Sequence, residues 1–266
     1  MTPRAERLIK GLTDDRGEPP SRMFEEWIDT MYTALAAAAE PSGPWEDRYR
    51  REASRRGRAR LTRFAELLAL LVEELTANGG RDVLGAIATD DRVRAVNPAA
   101  GQFFTPPDVA RMMAAITFHD AAHLLTTQPY LTIAEPACGA GVMLLETLRE
   151  LKDRGIDPHR QVWIDATDVS RTCVAMTYVQ LALVGAAGVV RHGDTLRLDT
   201  WEITRLPLTY LFEVAHGTPG GRIEIEPLLP EVEPAPAPPP PVAEAPFALT
   251  GEPVRRRAVQ SRLFGD

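Results

Sequence analysis

The sequence predicts an α/β chain in three parts: a helical segment, an alternating strand–helix region, and a proline-rich tail. Three observations carry this. Over the first hundred residues apolar side chains recur at three- and four-residue intervals, the period of a helix with one buried face. From Gly101 onward short apolar runs alternate with helix-length stretches, which implies a parallel sheet with crossover helices. Ten of the 23 prolines fall between Pro227 and Pro253, a composition that extends and does not pack. The 266 residues are 44% hydrophobic and 25% charged, enough for a sizeable core. Two cysteines, Cys138 and Cys173, exclude a disulfide framework. No apolar run is long enough to span a bilayer, and the first residues lack the pattern of a signal peptide, so a soluble cytoplasmic protein is expected and a membrane partner is not.

In chain order, residues 1–20 are expected to be a flexible N-terminus and residues 21–97 a helical domain. Met23, Trp27, Met31 and Leu35 mark one helix, and Leu61, Phe64, Leu68, Leu71, Val72 and Leu75 another. Asn78-Gly79-Gly80 ends the second with the glycines that a left-handed cap requires. An arginine cluster lies between the two, including Arg51, Arg55, Arg56, Arg58 and Arg60. It reads either as a solvated helix face or as a patch for phosphates, and the formal charge of −7 does not decide between them. Residues 98–225 form the α/β region. A helix is expected over Val109 to Leu125, a strand over Tyr130 to Ala134, and a helix over Val142 to Lys152. A second strand over Gln161 to Ala166, a helix over Arg171 to Val184 and a third strand over Gly188 to Arg191 follow. Residues 226–266 are expected to be a disordered tail whose charge is acidic until Arg255.

The chemistry lies at the strand ends. Glu135-Pro136-Ala137-Cys138-Gly139-Ala140-Gly141 stands between a strand and a helix, where glycines let the backbone approach a ligand and a helix N-terminus offers unpaired N–H groups. A carboxylate such as Glu135 at the end of a buried strand needs a partner, and a ligand ammonium would serve. Asp168 ends the second strand, where α/β nucleotide sites place an acid for ribose hydroxyls. Gly193-Asp194 follows the third, where a carboxylate can accept from an adenine amino group. Each acid alone could cap a turn; three on successive strand ends make a ligand-binding rim.

These motifs, in order with Gly101-Gln102-Phe103-Phe104-Thr105-Pro106 and Gly193-Asp194-Thr195-Leu196, resemble those of adenine-N6 DNA methyltransferases. The branch is that of the modification subunit of type I restriction-modification systems, and the helices leading into Asp82-Val83-Leu84-Gly85 are similar to those of short phage and mobile-element members. The resemblance spans roughly residues 21–211. It implies a reduced S-adenosylmethionine-dependent methyltransferase domain of Rossmann-like fold, acting on DNA with S-adenosylmethionine as cofactor. By it, Phe103, Phe104 and Thr105 lie over the methionine end, which Glu135, Pro136, Gly139 and Gly141 line. Asp168 binds the ribose and Asp194 the adenine.

The family's Asn/Asp/Ser-Pro-Pro-Tyr/Phe loop, which accepts the amino hydrogens of a flipped base and stacks on it, has no counterpart. Leu206-Pro207-Leu208-Thr209-Tyr210 is the nearest substitute, which makes Pro207 and Tyr210 the catalytic candidates. Few residues separate Leu196 from the tail, so either this is a reduced cofactor-binding fold, a methyltransferase in itself, or a partner methyltransferase or specificity subunit completes it. The missing loop also suits an alternative, a catalytically inactive cofactor-binding pseudoenzyme acting as a DNA- or sliding-clamp-associated adaptor. His119 and His123 stand one helical turn apart but lack a third ligand, so no metal is expected. Neither cysteine has a paired base, so neither reads as a nucleophile. Near the end of the sequence, Gln260, Leu263 and Phe264 resemble the peptide by which bacterial replication and repair proteins dock on the sliding clamp.

Overall fold

The protein, seen in a computed structural model, is described over residues 2–14, 17–41, 43–96 and 102–219. The 226–266 tail, its clamp-like peptide and Gly101 lie outside them.

Helix α1 (Pro3–Thr13) begins where Thr2 Oγ1 accepts the Ala5 N–H at 3.1 Å and Pro3 presets the first turn. Its Leu8, Ile9 and Leu12 are buried. The expectation of a flexible N-terminus over 1–20 is corrected here: three apolar residues on one short face suffice once a neighbour covers them. That neighbour is α4 (Arg58–Ala77), whose Arg63 Nε also donates to the Gly11 carbonyl at 3.0 Å. Helix α2 (Pro20–Ala39) buries a broad stripe, Met23, Phe24, Trp27, Ile28, Met31 and Tyr32. The Trp27 indole N–H donates to the Phe64 carbonyl of α4 at 3.2 Å. Helix α3 (Pro44–Arg56) and α4 would be one continuous helix but for Gly57, whose φ of 77° is in the region that residues with a Cβ avoid. The expected stop at Asn78-Gly79-Gly80 is present: Gly80 N–H returns to the Leu75 carbonyl at 2.8 Å, and Asn78 Oδ1 accepts from Gly80 and Arg81. A short α5 (Leu84–Ala88) follows.

The α/β part runs α6 (Pro107–Thr117), α7 (Ala121–Leu124), β1 (Leu131–Glu135), α8 (Val142–Asp153), α9 (Pro158–Gln161) and β2 (Val162–Asp168). It continues with α10 (Arg171–Leu183), β3 (Ala187–Asp194), β4 (Asp199–Arg205) and α11 (Thr209–His216). The helix expected over Val109 to Leu125 is thus two, separated by the turn that holds His119. Sheet order is β1-β2-β3-β4, the first three parallel, in register Leu131↔Val162 and Trp163↔Ala187. Strand β4, which the sequence reading omits, pairs antiparallel to β3 with a bulge at His192/Gly193.

One hydrophobic core runs from Leu8 through the α2 stripe to Ile133, Ile164, Val190 and Leu206. The segments expected as separate domains, 21–97 and 98–225, therefore share one core. Tyr32 of α2 meets Tyr178 of α10 edge-on with centroids 4.8 Å apart, and its hydroxyl bonds to Thr204 of β4. The opposite face of the sheet carries a smaller cluster, Trp163, Ala187 and Val189, under Phe212 of α11.

Candidate cofactor site

The loop after β1 is shaped from both sides. Beneath it, α10 takes two successive carbonyls: Thr177 Oγ1 donates to Gly139 O at 2.9 Å, and Gln180 Nε2 to Ala140 O at 2.8 Å. From β2, the Thr167 carbonyl accepts Cys138 N–H at 2.9 Å, and Asp168 Oδ2 accepts Gly139 N–H at 2.8 Å. Gly141, at φ 93°, needs the glycine backbone, and a Cβ there would stand 3.1 Å from Thr177 Oγ1. Its carbonyl then accepts Leu145 N–H at 2.9 Å as α8 starts.

Glu135, Asp168 and Asp194 end three adjacent parallel strands, so the sheet brings together the three acids picked from the sequence. All are half-buried. Each also holds its own loop: Glu135 accepts from Ala137 N–H at 3.1 Å, Asp168 from Ser170 N–H at 2.8 Å, and Asp194 from Leu196 N–H at 3.0 Å. A carboxylate has about four lone-pair sites, so these bonds orient the acids and leave acceptor capacity for a ligand. Thr195 Oγ1 donates to the Pro136 carbonyl at 2.7 Å, linking the end of β3 to the glycine loop. Phe104 closes the other side, its ring 3.4 Å from where a Gly139 Cβ would lie. Phe103 is exposed and Thr105 half-buried beside it.

Sequence reasoning missed Thr177, Gln180 and Val169, and gave Leu196 only as the end of a motif. Thr177 and Gln180 were visible only as polar residues in a largely apolar helix. Val169 and Leu196, each next to a rim acid, are 60% and 97% exposed, apolar surfaces with nothing over them among the described residues.

Other candidates fall elsewhere. Leu206 N–H donates to the Gly188 carbonyl, and Thr209 Oγ1 both donates to that carbonyl and accepts Gly188 N–H. This fixes the 206–210 segment near the start of β3, whereas Asp168 and Asp194 stand at strand ends. Pro207 and Tyr210 are therefore corrected: an antiparallel β4 carries them to the opposite end of the sheet from the rim. The Cys138 thiol is buried and pushed far up by that burial, and burial raises Cys173 to about 12, so neither supplies a thiolate nucleophile. In the arginine cluster, Arg56 pairs with Glu52 at 3.2 Å and Arg60 with Glu26 at 2.6 Å. Arg51, Arg55 and Arg58 are exposed at the α3–α4 junction. His119 Nδ1 lies 3.1 Å from the Ile116 carbonyl and His123 sits in α7.

The profile of the N-6 DNA Methylase family matches residues 92–211. No curated protein matches the chain significantly. Among solved structures, the chain is similar to a crystal structure from Listeria monocytogenes described as a class I S-adenosylmethionine-dependent methyltransferase, at 15% identity and a TM-score of 0.47. The similarity covers 73% of this chain and 54% of that one, so this chain spans about half its length. The rim fits the family's cofactor: a glycine cradle that side chains would fill, acids with spare acceptor sites, and exposed apolar flanks at Val169 and Leu196. The family's model thus matches residues 92–211, just under half of the chain, and this similarity implies S-adenosylmethionine as cofactor.

Proposed function

We propose that this chain is the cofactor-binding part of an adenine-N6 DNA methyltransferase, with the base-handling loop supplied by a partner methyltransferase or specificity subunit. One observation carries the reading: three acids on three adjacent strand ends, cross-tied by the Gly139–Asp168 and Thr195–Pro136 hydrogen bonds. When bound, the cofactor supplies an activated methyl group. Asp168 accepts from the ribose hydroxyls and Asp194 from the adenine amino group. Val169 and Leu196 give that base apolar cover, while Glu135 and the glycine loop receive the methionine end below Phe103, Phe104 and Thr105. The target adenine, flipped from its duplex, enters at the same ends of the strands. Arg51, Arg55 and Arg58 are the available phosphate contacts, because Arg56 and Arg60 are engaged within the fold.

A second reading, a cofactor-binding adaptor without catalysis, is favoured by the distance of Pro207 and Tyr210 from the rim. Radiolabelled methyl transfer to DNA, with and without a partner subunit, separates the two. On the first reading the chain binds S-adenosylmethionine by calorimetry, transfer requires the partner, and Asp194→Ala weakens both binding and transfer by about 10- to 100-fold, the loss of one charged hydrogen bond. Binding without transfer under any pairing would sink the enzyme reading and leave the adaptor.

A further inference from the structure

A cavity of about 750 Å³ lies beside the glycine loop, between the α4–α5 connection and the segment entering α6. Its wall includes Asp82, Gly85, Asp91, Arg94 and Phe104. Two contacts place it against the cofactor loop. Phe104 packs on Gly139, as described, and a Cβ added to Gly85 would stand 2.9 Å from that of Ala140. The cavity and the loop thus share a wall.

Opposite charges face this space. Asp82 Oδ1 is occupied: it accepts Gly85 N–H at 2.8 Å and Gln180 Nε2 at 2.9 Å. The second oxygen, Oδ2, accepts no hydrogen bond among the described residues, and Gly85 keeps it uncovered, since a Cβ there would collide with it. Burial holds this carboxyl above the usual carboxylate range, with the charge of Glu146 adding to the effect. A carboxylate in that position gains from a cation. Arg94 is exposed, and its backbone sits at φ 50°, a strained conformation for a residue with a long side chain. Its guanidinium meets Asp91 through one nitrogen at 3.4 Å, which leaves most of its five donors for another acceptor.

A carboxylate and a guanidinium on one cavity wall suit a ligand group that carries an ammonium and a carboxylate on the same carbon. We propose that Asp82 and Arg94 bind the α-amino-acid end of S-adenosylmethionine, Asp82 taking the ammonium and Arg94 the carboxylate. This rests on the cofactor assignment above and extends it to residues outside the strand-end motifs. An ammonium donates three hydrogen bonds, so Asp82 adds to Glu135 and does not replace it.

Calorimetry on the full chain tests this with two ligands, S-adenosylhomocysteine and 5′-methylthioadenosine, which share the nucleoside thioether but differ in the amino-acid end. Asp82→Asn and Arg94→Ala should each weaken S-adenosylhomocysteine by about 10- to 100-fold, the range for a charged hydrogen bond. Neither should change the affinity for 5′-methylthioadenosine. Asn keeps the acceptor that Gly85 and Gln180 use, and Arg94 is exposed, so melting temperatures should match the parent. An equal loss for both ligands would reduce Asp82 to a cap for α5 and overturn the proposal, as would no loss for either. Should the parent bind neither ligand, the cofactor assignment itself falls, and the proposal with it.

Discussion

Thr177 shows how one hydroxyl can act at a distance from any ligand. By donating to Gly139 O it holds that carbonyl inward, and the turn that follows gives α8 its start at the cleft. Thr177→Val keeps the shape and removes the donor, leaving a part-buried carbonyl without it at a cost of about 1–2 kcal/mol. We expect S-adenosylmethionine affinity to fall by roughly 5- to 30-fold, with the Thr177→Ser variant close to the parent by calorimetry. A loss for Ser with Val close to the parent would mean that the methyl packing, not the hydrogen bond, matters. The rim acids were legible in the sequence because they follow strands, and a period-2 apolar run announces where a strand ends. Thr177 and Gln180 were not. Their partners are backbone atoms some forty positions earlier, and no local pattern records such a contact.

Strand β4 explains why one element escaped the sequence. In Trp201-Glu202-Ile203-Thr204 the alternation is present but inverted, with Trp201 and Ile203 exposed and the polar pair turned inward. Glu202 accepts from Arg48 at 3.2 Å and also pairs with Arg171, whose guanidinium stacks on Tyr32. Thr204 is buried against the Tyr32 hydroxyl. A hydrophobic pattern cannot signal a strand whose inner face is an ion network. Glu202→Ala leaves two half-buried guanidiniums short of a partner and should cost about 1–3 kcal/mol. Trp201→Ser should stay within about 0.5 kcal/mol of the parent. Urea midpoints would check both, and the reverse ranking would mean that the strand faces the other way. The same logic explains why the sequence does not announce α1: four buried positions in eleven residues are too few to mark a helix before its neighbour is known.

For the whole molecule, the arginine cluster divides by what the fold has already claimed. Arg48, Arg60 and Arg63 tie their helices to other elements and Arg56 pairs with Glu52 within α3, whereas Arg51, Arg55 and Arg58 face solvent on α3 and α4. If the latter meet DNA phosphates, replacing all three with Ala should flatten the log–log salt dependence of DNA binding by about 2.7, near 0.9 per contact. Fluorescence anisotropy over a salt series reads this directly, and an unchanged slope would remove the patch from the interface. Charge counting alone could not make that division, because paired and unpaired arginines look alike in a sequence. The shared core has a further consequence for how the protein is made. Tyr32 finds Thr204 across 172 positions, and at about 5–20 residues per second a ribosome needs roughly 10–35 s to deliver that partner. Through that interval the Tyr32 end of the α2 stripe has neither Tyr178 nor Thr204 to cover it, so the nascent chain exposes apolar surface that the finished protein buries.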